Sequence, residues 1–145
     1  AWCTKEFKNL NRLEQAGVRV PHTRRFLKNV IVMDYIGDGV MAAPQLRSVR
    51  LDGPQKVYRE IVRFMKRAFQ KAKLVHGDLS EYNILVHEGA PYIIDCGQAI
   101  LTDHPNAIDF LKRDVKNVNR YFRSIDVKVW SDETVLRYVQ GVREK

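Results

Sequence analysis

The chain has 145 residues, 45% hydrophobic and 29% charged, a balance that suits one folded domain with a real core and excludes a disordered or fibrous chain. No window approaches the ~18 consecutive apolar residues of a membrane span, and the two cysteines, Cys3 and Cys96, are too few for a disulfide framework; no membrane partner and a reducing, cytoplasmic setting are expected. A net charge of +8 favours polyanionic partners, namely nucleic acid, a nucleotide or an acidic protein, with a merely solvated basic surface as the plainer alternative.

Phe7, Leu10 and Leu13 recur three apart within residues 2–16, as on one stripe of a helix. Gly17 supplies its stop, and Val18-Arg19-Val20-Pro21 leads out as extended chain. Phe26-Leu27 and Val30 to Tyr35 flank Lys28-Asn29, which predicts a β-hairpin with a two-residue turn, and Gly37-Asp38-Gly39 breaks its second strand. A short helical turn is expected near Pro44, with Leu46 and Val49 as its apolar residues. The clearest helix opens at Gly53-Pro54. Val57, Tyr58, Ile61, Met65, Ala68, Phe69 and Ala72 line its inner face, and Lys56, Arg59, Arg63, Lys66, Arg67 and Lys71 take most of the outer one.

After the apolar pair Leu74-Val75 comes a polar loop, His76 to Asn83, and then a hairpin formed by Ile84–Val86 and Tyr92–Ile94 around Glu88-Gly89-Ala90. Pro105 predicts the start of another helix, capped by Asp103 or His104, with the core stripe Ile108, Leu111, Val115, Val118 and Phe122. Ser131 is the expected N-cap of a last helix, with Asp132 and Glu133 in its first turn and a Trp130–Val135 staple. The pattern is α+β, with no internal repeat and no linker.

The polar loop has the form His-x-Asp-x-x-x-x-Asn, and Ile93-Ile94-Asp95-Cys96-Gly97 follows the next hairpin. That is the spacing of a phosphoryl-transfer loop and its metal-binding aspartate. Asp78 stands where a carboxylate orients the attacking hydroxyl and accepts its proton. Asn83 and Asp95 stand where two oxygens hold Mg²⁺, which takes a few oxygen ligands and completes its shell with water and phosphate. Taken singly, Asp78 suits a turn, Asn83 a strand cap and Asp95 a strand end; only the joint spacing points to chemistry. His76 is expected to brace the loop as a buried ring, and Cys96 to pack as a small apolar residue. His22, His87 and His104 stand alone in the sequence, which argues against metal ligation.

These residues resemble the RIO family of atypical serine protein kinases, in the run from Leu74 to Asn83, in Ile94 to Ala99, in His104-Pro105, and in Arg113-Asp114-Val115 with Asn117. The Leu-Ser-Glu-Tyr-Asn wording is similar to the type-one branch. The resemblance implies a protein-kinase-like fold, with residues 1–36 as part of the N-lobe and 37–145 as the C-lobe. It implies Asp78 as catalytic aspartate, Asn83 and Asp95 as ligands of Mg²⁺ or Mn²⁺, and Asp95 as a phosphate acceptor forming phospho-aspartate. Glu6 resembles the helix glutamate that pairs with a nucleotide-clamping lysine, and Met33-Asp34-Tyr35-Ile36 the hinge, where backbone groups of Asp34 and Ile36 meet the adenine of ATP. Asp114 resembles the aspartate that hydrogen-bonds the catalytic loop from below. A role in maturation of the small ribosomal subunit is implied as well, with rRNA met by the basic faces at 54–73 and 105–123.

The sequence departs from that pattern at its start. The chain opens without Met at the Glu6 helix, with no Gly-rich phosphate loop or strand lysine before it, so a piece of a longer protein with weak or no ATP turnover alone is expected. Two rivals share parts of the pattern. Small-molecule phosphotransferases carry the same loop but a larger C-lobe insert; a non-catalytic nucleotide- or RNA-binding module could keep the loop without turnover.

Overall fold

The computed structural model describes residues 2–27, 30–33, 36–38 and 41–142. The Lys28-Asn29 turn and the Asp34-Tyr35 part of the expected hinge lie outside these residues.

Helix α1 (Trp2–Gln15) buries Leu10 and Leu13 as the stripe predicts, and Gly17 follows it at φ +85°. Its buried face also takes in Glu6 and Asn9. Strands β1 (Thr23–Leu27) and β2 (Val30–Met33) pair antiparallel with Leu27 opposite Val30, the register of a two-residue turn. Gly37-Asp38 does more than end β2. It forms β3 (Gly37–Asp38), paired antiparallel with β4 (Met41–Ala42) in a second small hairpin. The turn expected near Pro44 is a 3₁₀ turn over Leu46–Ser48 with Leu46 buried.

Helix α2 (Pro54–Arg67) starts with Pro54 in its first turn and buries Val57, Tyr58, Ile61, Val62, Phe64 and Met65, while Arg59 and Arg63 stay exposed. It widens into a π turn over Ala68–Ala72 and stops at Lys73, a left-handed residue with φ 58°. Strand β5 (Leu74–Val75) precedes the polar loop, and β6 (Ile84–His87) and β7 (Ala90–Ile93) form the expected hairpin. Its turn is Glu88-Gly89 alone, because both residues take positive φ (52° and 76°) and Ala90 already pairs with His87. Strand β8 (Ile100–Leu101) returns to pair antiparallel with β5. That pairing closes the segment from 76 to 99 into one lobe of chain and sets the polar loop beside residues 95–99.

Helix α3 (Ala107–Ser124) begins two residues later than Pro105 predicts. Asn106 holds the N-cap position without a side-chain cap, and His104, expected as a possible cap, instead accepts the Asn106 N–H at Nδ1, 3.0 Å. Asp103 provides no cap either. Leu111, Val115, Val118 and Phe122 are buried as expected, but Ile108 is 36% exposed, and Ala107 is the residue of the first turn that enters the core. In α4 (Asp132–Gln140) the Ser131 hydroxyl accepts the Thr134 N–H at 3.1 Å, the predicted cap, and Gly141 ends the helix at φ 77°. Trp130 rests on Tyr58 with ring centroids 5.6 Å apart. One apolar core joins Leu10 and Leu13 of α1 to Ile61, Leu79, Ile84, Val115 and Phe122. Among the described residues no helix is long and apolar enough to cross a membrane.

Candidate active site

The loop between β5 and β6 is held by its own polar groups and by α3. Gly77, at φ +88°, takes a conformation that side chains disfavour, and this turns its N–H and that of Leu79 toward one carboxylate. Asp114 of α3, 1% exposed, accepts both, from Gly77 at 2.8 Å and from Leu79 at 2.9 Å. Burial pushes the Asp114 carboxyl up, while the two amides, His76 and Arg113 favour its anion. Arg113 closes the clamp by donating to the Gly77 carbonyl at 3.0 Å.

His76 Nδ1 accepts the Asp78 N–H at 3.2 Å, so Nε2 carries the proton and donates to the Ile94 carbonyl at 2.9 Å. At the far end, Asn83 Oδ1 accepts the Ser80 N–H at 2.8 Å and Nδ2 donates to the Asp78 carbonyl at 2.6 Å. The Asn83 carbonyl in turn accepts the Ile94 N–H at 3.0 Å. Both ends of the loop are thus tied to Ile94, the residue before Asp95. The bracing role expected of His76 is what the structure has, but its ring is half-buried rather than buried.

Asp95 is exposed and left-handed, φ 57°, a conformation aspartate tolerates better than most residues. Gln98 steadies it by donating to its carbonyl at 2.6 Å. Asp78 is exposed as well. Behind them, Cys96 is fully buried and packs as a small apolar residue; burial, with the charges of Glu6 and Asp95, pushes its thiol up.

Glu6 reaches this region from α1. It is 7% exposed, and burial first, then the Asp95 charge, push its carboxyl up, against a hydrogen bond from the Cys96 backbone. Its Oε2 is buried with no hydrogen-bond partner among the described residues. Asn9, one turn along, donates to the Cys96 carbonyl at 2.8 Å and fixes α1 to the Asp95 segment. Ile36, the described end of the expected hinge, accepts the Ala43 N–H at its carbonyl, 2.9 Å; Asp34 lies outside the described residues.

The structure therefore brings Glu6, Asp78, Asn83, Asp95 and Asp114 to one region. Sequence reasoning gave no structural role to Asn9, Gln98 or Arg113; the partners of Asn9 and Arg113 lie far along the chain, and Gln98 bonds the Asp95 carbonyl three residues before it. His22, His87 and His104 are less solitary than their spacing suggests. His22 Nδ1 lies 2.8 Å from Glu14, and His87 Nε2 lies 3.7 Å from Asp38 and 3.6 Å from Glu88, two exposed carboxylates.

Asp95 and Asn83 offer only oxygen donors, the set that suits Mg²⁺. The buried, unpartnered Glu6 oxygen is the kind of atom a cation satisfies.

Comparison with known proteins agrees. The Haloferax volcanii RIO-type serine/threonine-protein kinase Rio1 is 49% identical over 123 residues, 85% of this chain and 42% of the relative. The human serine/threonine-protein kinase RIO1 is 39% identical over 140 residues, 95% of this chain and 25% of the relative. The crystal structure of the Rio2 kinase–ADP/Mg²⁺–phosphoaspartate complex from Chaetomium thermophilum superposes with a TM-score of 0.82 at 27% identity, over 97% of this chain and 44% of that one. The α+β, protein-kinase-like fold expected from the sequence is borne out, and the chain spans less than half the length of each of these relatives. Residues 1–135 match the RIO domain, and the chain belongs to that family.

Proposed function

We propose that this chain carries the catalytic floor of a RIO-type serine/threonine protein kinase with ATPase activity, using ATP and Mg²⁺, or Mn²⁺ through the same oxygen donors. The observation that carries the reading is the double tie of the loop to Ile94, which fixes exposed Asp78 relative to exposed Asp95. Asn83 and Asp95 would hold the metal, which supplies charge neutralisation at the phosphates. Asp78 accepts the proton of the attacking serine hydroxyl as its oxygen bonds to the γ-phosphorus and the bond to the ADP oxygen breaks. In the ATPase branch an Asp95 carboxylate oxygen takes the phosphoryl group, and water then hydrolyses the phospho-aspartate. Glu6 would pair with a cationic side chain near the phosphates.

In this reading residues 1–36 belong to the N-lobe and 37–145 to the C-lobe, and Asp34 and Ile36 meet the adenine. The relatives' kinase names support the chemistry, and the Mg²⁺, ADP and phosphoaspartate of the Rio2 complex support the metal and the acceptor. The cellular role extends the reading to cytoplasmic maturation of the small ribosomal subunit, with rRNA against the basic helix faces. Phosphate release and autophosphorylation, measured in the full-length protein and in Asp95→Ala, test the chemistry. A loss on the order of 10²-fold or more is expected from removal of such a group. Undiminished activity in Asp95→Ala would sink the assignment.

A further inference from the structure

Helices α2 and α4 lie against each other, and their seam opens into two adjoining cavities. The first, of about 180 Å³, is lined by Arg59, Val62, Arg63, Trp130, Val135 and Tyr138, among others. The second, of about 230 Å³, is lined by Arg63, Lys66, Arg67, Gln70, Lys71 and Tyr138. Arg63 and Tyr138 line both, so the two cavities lie side by side. The first is an aromatic and aliphatic slot; the second is a cationic trough. No acidic side chain lines either.

Two further facts give the seam its character. Trp130 and Tyr138 are 46% and 39% exposed, unusual for large rings beside a cavity. Lys66 Nζ sits 4.3 Å over the Tyr138 ring, and among the described residues Arg59, Arg63 and Lys71 make no ion pair. Glu60, the acid of α2, is paired with Arg19 instead. By contrast Lys112 and Lys116 of α3 are exposed with no exposed aromatic ring on that helix.

A ring-lined slot beside an unneutralised trough accommodates a planar base in one and its phosphate in the other. An acidic peptide would satisfy the trough but offers the slot a ring only where it happens to carry an aromatic residue, whereas every nucleotide brings a planar base beside its phosphate. We infer that the α2–α4 seam binds single-stranded RNA, bases against Trp130 and Tyr138 and phosphates along Arg63, Lys66 and Lys71. The choice of RNA over DNA rests on the proposed rRNA partner; the seam itself is independent of phosphoryl transfer.

The test is fluorescence polarisation of the full-length protein with a labelled 12-nucleotide oligouridylate, its oligothymidylate counterpart, a 12-base-pair RNA duplex and a polyglutamate peptide. The single RNA strand should bind more tightly than the duplex. Its log affinity should fall against log salt with a slope near −2, from ~0.7 per neutralised phosphate and three cations. Arg63→Glu should lower affinity and flatten that slope. Tyr138→Leu should cost about tenfold, the effect of roughly 1.4 kcal/mol of stacking, and leave the slope unchanged. The double variant Lys112→Glu with Lys116→Glu on α3 should cost less than Arg59→Glu with Arg63→Glu. Equal losses in the two double variants, equal binding of duplex, or binding of the peptide but not the RNA would overturn the inference. A preference for the DNA strand overturns the choice of RNA. RNA binding that survives Arg59→Glu with Arg63→Glu leaves the rRNA partner standing and rejects the seam. ATPase activity measured in the same variants, expected to be unchanged, keeps the catalytic reading separate.

Discussion

Asp114 is the residue whose removal tests how the catalytic loop is held. Its carboxylate is 1% exposed and accepts the amides of Gly77 and Leu79 at 2.8 and 2.9 Å. Asp114→Ala leaves two buried donors without partners, at about 1–3 kcal/mol each, so the folded state should lose about 2–6 kcal/mol. Asp114→Asn keeps one oxygen acceptor and turns an NH₂ toward the other amide, while removing the cost of burying a charge; its loss should be about 1–3 kcal/mol. Urea unfolding gives the ordering through shifts of midpoint at constant slope. Native-state hydrogen exchange should show the Gly77 and Leu79 amides losing protection first. Wild-type stability in Asp114→Ala, or retained protection at those two amides, would refute the clamp.

Glu6 gives a pH prediction with a definite sign. Its folded-state carboxyl lies above the ordinary 4.5 because of burial and the Asp95 charge, so the folded chain holds that proton more tightly than the unfolded chain, and its contribution to stability falls as pH rises from about 4.5 through the folded value. Thermal unfolding of Glu6→Gln should show a flatter arm there and a neutral-pH stability at least equal to wild type, and Asp95→Asn should flatten the arm in part; an unchanged arm in Glu6→Gln refutes the assignment. Ser131→Ala removes the acceptor of the Thr134 N–H and should cost about 1 kcal/mol by urea unfolding, with no change in phosphate release, whereas a cost near zero would mean water replaces the cap.

Much of the fold was legible because its signals are local. Gly17 ends α1, Pro54 starts α2, Glu88-Gly89 turns the β6–β7 hairpin and Ser131 caps α4, each through backbone chemistry that the residue itself carries. The errors fall where local signals are weak. Strands β3, β4, β5 and β8 are two residues long, too short for any alternation to show. Pro105 marks a turn that tolerates helix without starting one, and Ile108 carries the core period but sits beyond the core's edge.

The candidate site was legible as a spacing, yet the spacing does not explain the site. Asp78 and Asp95 are both exposed, and their relation is fixed by groups between them. His76 and Asn83 reach Ile94 from opposite ends of the loop, one to its carbonyl and one from its N–H. Asn9 and Gln98 then hold the Asp95 segment from the other side, through the carbonyls of Cys96 and Asp95. The His76 and Asn9 bonds pair side chains with backbone atoms 18 and 87 residues away, beyond the reach of any local sequence pattern. The β5–β8 pairing makes them possible, since it returns the chain after Asp95 to the strand that precedes the loop. An arrangement of this kind places two charged groups without burying either, and the desolvation cost falls instead on Glu6 and Asp114, the two carboxyls that burial pushes up. The exposed pair is thereby left free to meet a metal, a phosphate or a hydroxyl, while the buried pair supports α1 and the loop from behind.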